Sequence, residues 1–178
     1  MRIISGTHKG RRFTPPKNLP VRPTTDMAKE GLFNVLNNLV DFTELSVLDL
    51  FTGTGSITFE FASRGCKSVV SIDKNYRCVE HVRKAAIDLG FENIKTIKAD
   101  IFKILKGVNY SFDLIFADPP YGLEGISQIP DLVFKNGWLN KNAWLIVEHP
   151  KELDFTRHHY FFQKRNYGRV NFSFFKNN

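Results

Sequence analysis

The stretch SVLDLFTGTGS, residues 46–56, decides the fold. Its first half is a short apolar run of the kind that forms a buried strand, and its second half is a glycine-rich turn leading into a helix. Gly53 and Gly55 let the backbone turn sharply and approach a ligand closely. Downstream the same alternation repeats. Ser56–Arg64 reads as a helix, VVSID as a second strand, Asn75–Leu89 as a helix, IKTIKAD as a third strand and FDLIFAD as a fourth. Ile126–Lys135 follows as a candidate helix and AWLIVEH as a fifth strand. Strands alternating with helices imply crossover units and a mostly parallel, doubly wound α/β sheet. The closing HHYFFQKRNYGRVNFSFF is two β-rich runs about Asn166–Gly168, which predicts an antiparallel hairpin.

Upstream, residues 25–39 read as a helix with Ala28, Leu32, Val35, Leu36 and Leu39 on one face and Thr25 or Asp26 as N-cap. Pro15, Pro16, Pro20 and Pro23 keep the preceding stretch out of helix. The first thirteen residues read as a short hairpin or extended arm. The 178 residues fit a single domain, 1–178, made of a basic arm (1–24) and a helix plus α/β body (25–178).

Charge is distributed unevenly. Residues 1–30 carry seven basic and two acidic side chains, residues 31–150 twelve and fourteen, and residues 151–178 six and two. Basic ends flanking a slightly acidic middle suit an anionic partner that meets the ends, although a solvated surface has the same composition. No apolar run is long enough to span a membrane, and the N-terminus lacks the apolar stretch of a signal peptide. Cys66 and Cys78 have neither CxxC spacing nor nearby histidines. They read as reduced thiols of a cytoplasmic protein without a metal site.

Three acids end three successive strands: Asp49, Asp73 and Asp100. In open α/β sheets ligands bind at those strand ends. A dinucleotide turn has GxGxxG, but position 58 is Thr. Asp49 would repel a pyrophosphate yet suits a ligand carrying an ammonium and a sulfonium. Asp73 is placed to accept from both ribose hydroxyls. Asp100 is placed to accept from an adenine amino group while the Ile101 N–H donates to the ring. Taken singly, Asp73 and Asp100 read also as helix caps, and DLFTGTGS as a plain glycine turn between strand and helix. The fourth signal is Asp118-Pro119-Pro120-Tyr121 after FDLIFA. Two prolines directly after a buried strand fix the backbone and free carbonyls from the ladder. Asp118 and the Pro119 carbonyl can both accept from one planar NH₂ group, and Tyr121 offers a face for a base to stack on. The competing reading is a plain Pro-Pro turn.

Taken in order, DLFTGTGS, SIDKN, KADIF and DPPY resemble class I methyltransferases acting on amino nitrogens of bases. MRIISGTHKGRRF, RPTTDMAKEGLFNVL, VEHP and YGRVNFSFF narrow the resemblance to the RsmD family of bacterial 16S rRNA (guanine-N2)-methyltransferases. The resemblance implies a seven-stranded sheet closed by an antiparallel hairpin. It implies that Asp49, Gly53, Gly55, Asp73 and Asp100, with their neighbours Phe51, Lys74 and Ile101, hold S-adenosylmethionine. Asp118, Pro119, Pro120 and Tyr121 would hold the guanine amine. The sequence departs from the family at Met27, where a basic residue is usual, and at Arg169, where an acid is frequent.

With this resemblance the basic arm acquires a role. Arg2, Lys9, Arg11, Arg12, Lys17, Arg22 and Thr24 become candidate RNA contacts, which position a substrate without reading its sequence. The partner is then 16S rRNA, in an assembled small ribosomal subunit, met by a monomer, and the target base has to be flipped to reach Tyr121. DPPY also suits adenine N6, so a DNA adenine methyltransferase is an alternative, against which stands the lack of a target-recognition domain. A protein glutamine-N5 methyltransferase presents a similar planar amide but resembles an NPPY pattern. A non-catalytic RNA-binding assembly factor on the same scaffold is a further alternative. Glu148 ends a strand near the expected site and reads equally as a surface carboxylate. His81, His149, His158 and His159 receive no catalytic role.

Overall fold

The computed structural model describes residues 1–16, 19, 25–107 and 110–178. Seven strands form one sheet: β1 (Ser46–Leu50), β2 (Ser68–Asp73), β3 (Ile94–Lys98), β4 (Phe112–Ala117), β5 (Leu139–His149), β6 (Phe161–Tyr167) and β7 (Val170–Lys176). Their order is β3-β2-β1-β4-β5-β7-β6. The strands β1 to β5 run parallel, while β7 pairs antiparallel with β5 and β6 antiparallel with β7. From β1 the chain steps outward to β3, then crosses back to lay β4 on the other side of β1. The sheet therefore reverses direction between β1 and β4, the place where ligands bind in such sheets.

The helices are α1 (Asp26–Leu36), α2 (Ser56–Ser63), α3 (Tyr76–Leu89), α4 (Ile101–Leu105) and α5 (Ile129–Lys135). Alternate residues of the central strands feed two separate cores. Leu48, Leu50, Ile115, Leu145 and Val147 pack with α4 and α5, whereas Val47, Leu114, Phe116 and Ile146 pack with α1 and α2. Burial on both faces explains why these strands read as continuous apolar runs.

Several boundaries differ from the sequence reading. The helix expected over 25–39 stops at Leu36, and the chain leaves it through a turn. Thr25 is its cap, accepting from the Ala28 N–H at 3.3 Å. The stretch 126–135 divides into a 3-10 turn, Ile126–Gln128, and α5, which carries Pro130 in its first turn. Strand β5 begins at Leu139, earlier than AWLIVEH, and passes through Asn142 in the left-handed region at φ 62°. Asn tolerates that conformation better than most residues.

Residues 1–13 of the basic arm are docked along the body. Its two limbs pair, with the Ile3 N–H on the Arg11 carbonyl at 2.9 Å and the Phe13 N–H on the Met1 carbonyl at 3.1 Å. Ile3 and Phe13 bury against Phe59, Val82 and Ala86. The anchor is Glu60 on α2, which is fully buried. It accepts from the Ile4 N–H at 2.9 Å and the Ser5 N–H at 3.0 Å. Lys29, equally buried, lies 3.7 Å from Glu60 and donates to the Arg2 carbonyl at 2.7 Å and Ser56 Oγ at 3.2 Å. Burial pulls the Lys29 pKa down, and Glu60 opposes that shift. Arg64 adds a second cation at 3.1 Å. A buried charge deprived of its partner costs several kcal/mol. Glu60→Ala is therefore expected to lower unfolding stability by about 3–5 kcal/mol in urea titration.

Candidate active site

The turn from β1 into α2 is built from left-handed residues. Phe51 has φ 68°, Gly53 φ 53° and Gly55 φ 79°. Phe51 adopts this conformation without being glycine, at a cost of order 1–3 kcal/mol that the surrounding structure offsets. At Gly55 even a methyl group is excluded, since an added Cβ would lie 2.7 Å from the Phe59 ring. The turn is closed by the Thr52 N–H on the Ile72 carbonyl at 2.9 Å and the Gly55 N–H on the Thr52 carbonyl at 2.7 Å.

The sequence-predicted cofactor residues gather at the carboxyl ends of β1, β2 and β3. Asp49 is buried beneath the turn and accepts from Thr58 Oγ1 at 2.5 Å. Thr58 also meets Thr52 Oγ1 at 2.9 Å and Ser71 Oγ at 3.1 Å. The residue that breaks the dinucleotide pattern thus holds the Asp49 carboxyl and the turn together. Burial pushes Asp49 up to about 7, against the hydrogen bonds from Thr58 and Thr52 and with the Asp73 charge adding to the rise. Asp73 accepts from the Gly53 N–H at 3.0 Å and the Asn75 N–H at 2.8 Å. Asp100 caps α4, accepting from the Lys103 N–H at 3.3 Å, and Lys74 Nζ lies 3.4 Å from it. The Lys103 hydrogen bond, followed by Lys74, holds Asp100 below the usual carboxylate range. Of these acids only Asp100 is a helix cap; α3 is capped by Asn75, which Asp73 in turn holds through its N–H. A carboxylate has about four lone-pair sites, so capping leaves acceptor capacity for a ligand. Ile101 is buried at the start of α4.

Beside this turn lies Asp118-Pro119-Pro120-Tyr121. Leu50 of β1 is in register with Ala117 of β4, and the Asp118 N–H points at the Leu50 carbonyl at 3.5 Å. The two motifs are therefore adjacent across the sheet reversal. Pro119 is buried, while Pro120 and Tyr121 are exposed. The Tyr121 hydroxyl donates to Glu148 Oε1 at 3.0 Å. Glu148 is not a surface carboxylate: it is 5% exposed on β5. Burial pushes it up to about 7, opposed by hydrogen bonds from Tyr121 and Asp118. A cavity of about 590 Å³ opens next to Tyr121, lined by Gly122, Leu123, Ser127, Pro150, Glu152 and Leu153 among others.

The predicted RNA contacts are spread along the length of α2. Met1 meets Thr54 at the glycine turn, with Thr54 Oγ1 3.2 Å from Met1 Sδ. The turn of the arm rests at the opposite end, with the Thr7 N–H on the Ser63 carbonyl at 2.8 Å and His8 Nε2 2.9 Å from the Leu89 carbonyl. Lys9 therefore sits near the far end and Arg12 nearer the site. Arg2 pairs with Asp26 at 3.2 Å and Glu30 at 3.3 Å. Lys9, Arg11 and Arg12 are exposed. Arg22 and Thr24, like Lys17, lie outside the described residues. The two departures from the family pattern are neighbours, since a Cβ on Gly168, next to Arg169, would lie 3.6 Å from Met27 Cε. Among the described residues no group of three or more His, Cys, Asp or Glu side chains could hold a metal ion, and no helix is long and apolar enough to cross a membrane.

A sequence profile of the family described as "Conserved hypothetical protein 95" matches residues 1–176. The chain belongs to this family, the RsmD family. A relative from Buchnera aphidicola subsp. Baizongia pistaciae, "Ribosomal RNA small subunit methyltransferase D", is 33% identical over 154 residues, 86% of this chain and 78% of its own length. The Escherichia coli K12 protein of the same name is 28% identical over 148 residues, 83% of this chain and 74% of its own. The solved structure of "Putative methyltransferase yhhF" from Escherichia coli superposes with a TM-score of 0.87 at 25% identity, covering 99% of this chain and 97% of that one. The chain is an S-adenosylmethionine-dependent methyltransferase.

The residues at the β1–β3 ends fit that cofactor: a turn too tight for a side chain at Gly55, and acids where a cationic nucleoside would sit. Calorimetry is expected to show S-adenosylmethionine binding in the presence of excess chelator. Asp73→Ala is expected to weaken it by about 1–3 kcal/mol, through lost charge-assisted hydrogen bonds. Strict metal dependence or undiminished affinity in the variant would contradict the assignment.

Proposed function

We propose that this enzyme methylates the exocyclic N2 amine of a guanine in 16S rRNA, acting as a monomer on the assembled small ribosomal subunit. Family membership and relatives named as small-subunit rRNA methyltransferases support rRNA as the substrate. The observation that carries the base-amine chemistry is the placement of Asp118 beside the glycine turn, through the Leu50–Ala117 register.

Bound S-adenosylmethionine supplies an electrophilic methyl group on a sulfonium. Gly53, Gly55, Asp73, Lys74, Asp100 and the Ile101 N–H would hold it, with Asp49 and Phe51 shaping the turn. The substrate amine is a poor nucleophile because its lone pair is delocalised into the ring. Asp118 and the Pro119 carbonyl accept from its two N–H bonds, which favours pyramidal nitrogen and directs the lone pair. Tyr121 stacks on the flipped base. The Asp118 charge stabilises the ammonium that develops on nitrogen. Arg11 and Arg12, exposed on the docked arm, contact phosphates.

Single-turnover transfer of labelled methyl to 16S rRNA, naked and in 30S particles, is expected to yield N2-methylguanine. Asp118→Ala is expected to slow transfer by on the order of 10²–10³-fold, with cofactor affinity nearly intact. Label on adenine N6 or on protein would refute the substrate, and wild-type rates in the variant would refute the mechanism. Replacing Arg11 and Arg12 with Ala is expected to flatten the slope of log affinity against log salt by up to about 2. An unchanged slope would mean that neither meets a phosphate.

A further inference from the structure

The arm that carries Arg11 and Arg12 and the glycine turn that fits the cofactor meet at one buried ammonium. Lys29 of α1 is fully buried. It reaches three places: the Arg2 carbonyl on the arm at 2.7 Å, Ser56 Oγ at 3.2 Å and Glu60 Oε2 at 3.7 Å. Ser56 is the first residue of α2 and follows Gly55 directly, so it closes the glycine turn. Glu60 lies one turn further along the same helix and accepts from the Ile4 and Ser5 N–H groups of the arm. A second contact joins the same two segments, because Oγ1 of Thr54, between Gly53 and Gly55, lies 3.2 Å from Met1 Sδ. The far end of the arm is fixed to the far end of α2. The Thr7 N–H donates to the Ser63 carbonyl at 2.8 Å and the His8 N–H to Ser63 Oγ at 3.0 Å, and that hydroxyl donates to the Ser5 carbonyl at 2.6 Å. Gly6 passes so close that an added Cβ would lie 1.8 Å from the Ser63 carbonyl oxygen.

We propose that Lys29 is a positioning residue that clamps the arm to the glycine turn, so that cofactor occupancy and arm docking stabilise each other. The consequence for RNA rests on the reading of Arg11 and Arg12 as phosphate contacts. The turn needs bracing from outside, because Phe51, Gly53 and Gly55 are all left-handed and Phe51 lacks the freedom of glycine. Were the arm to lift, Lys29 would lose its shortest hydrogen bond and Glu60 both of its backbone donors. Two buried charges would then be poorly satisfied until water or the turn moved to meet them. Ser56, which shares the ammonium, would be drawn into that rearrangement. A ligand that binds the closed turn and not the relaxed one therefore holds the arm down. By reciprocity, an anion that binds the docked arm favours the closed turn by the same factor. RNA and cofactor need not touch for this to hold.

Hydrogen exchange on the whole protein tests the clamp without RNA. The Ile4 and Ser5 amides report arm opening, because they donate to Glu60. With S-adenosylhomocysteine as the probe, their protection is expected to rise with its concentration, by up to about 100-fold at about 100 times Kd. Amides of β6, at the edge of the sheet, are expected to change little. Ser56→Ala removes the acceptor at the turn and leaves Lys29 its contacts with Arg2 and Glu60. It is expected to keep the cofactor-free protection of the arm and to cut the rise by about tenfold, as for loss of one coupling contact. Lys29→Met is expected to lower the cofactor-free protection as well and to remove the rise. If Lys29→Met does not fold, the wild-type titration and Ser56→Ala still decide. For binding to a 16S rRNA transcript, saturating S-adenosylhomocysteine is expected to tighten the wild-type Kd by on the order of 5–10-fold, and the Ser56→Ala Kd far less. Two results would overturn the clamp: arm protection in the wild type that ignores the cofactor, or a Ser56→Ala protein with the full wild-type rise. If the cofactor protects the arm but no RNA binds, the functional reading fails while the clamp stands.

Discussion

The parallel pairing of β1 with β4, with Leu50 beside Ala117, is the constraint on which the site depends. The chain builds β2 and β3 on one side of β1 and only then crosses to lay β4 on the other. The two strand ends diverge into separate loops there, and the gap between them opens toward solvent. One loop is the glycine turn and the other is Asp118-Pro119-Pro120-Tyr121. In the proposed reaction a methyl donor and an amine have to meet within a few ångströms, so neither motif could serve it from elsewhere on the sheet. The register of two apolar strands, fixed by burial on both faces, sets that proximity.

The polar groups around this gap serve the protein before they serve a ligand. Asp73 holds Gly53 and Asn75, Asp100 caps α4, and Asp49 is fastened by Thr58. Each carboxylate is thereby oriented in advance, so binding need not order it. Glu60 does the same for the arm, using two backbone amides and two cations to hold the arm along α2. What the sequence presents as a basic tail is in the structure a docked segment. It presents Arg11 and Arg12 outward while Lys29 turns inward to full burial.

The parts of the fold that were legible in the sequence are those where one physical effect dominates. The strands read as apolar runs because both faces are covered, and α3 read correctly because its apolar face, its Asn75 cap and Gly90 agree. The short α4 was missed because IFKIL is too brief to show a period. The early start of β5 was missed because Asn140, Lys141 and Asn142 carry no strand pattern. The position of Asp118 and Tyr121 beside the glycine turn was legible, because two prolines end the apolar run of β4. The burial of Glu148 was not, since it depends on a tyrosine 27 residues away folding back over it. The Lys29–Glu60 pair was equally hidden, because charge counting assigns every lysine to the surface. Thr58 read only as a departure from a glycine pattern, and its bond to Asp49 gives that departure a cause.

The central claim is that the gap between β1 and β4 is shaped for a guanine amine in small-subunit RNA. Mass mapping of modified nucleosides in 16S rRNA from a strain lacking the gene tests it most directly. The account predicts that a single N2-methylguanine disappears and that the wild-type gene restores it. An unchanged set of modified guanines, or the loss of a methyladenine instead, would contradict it.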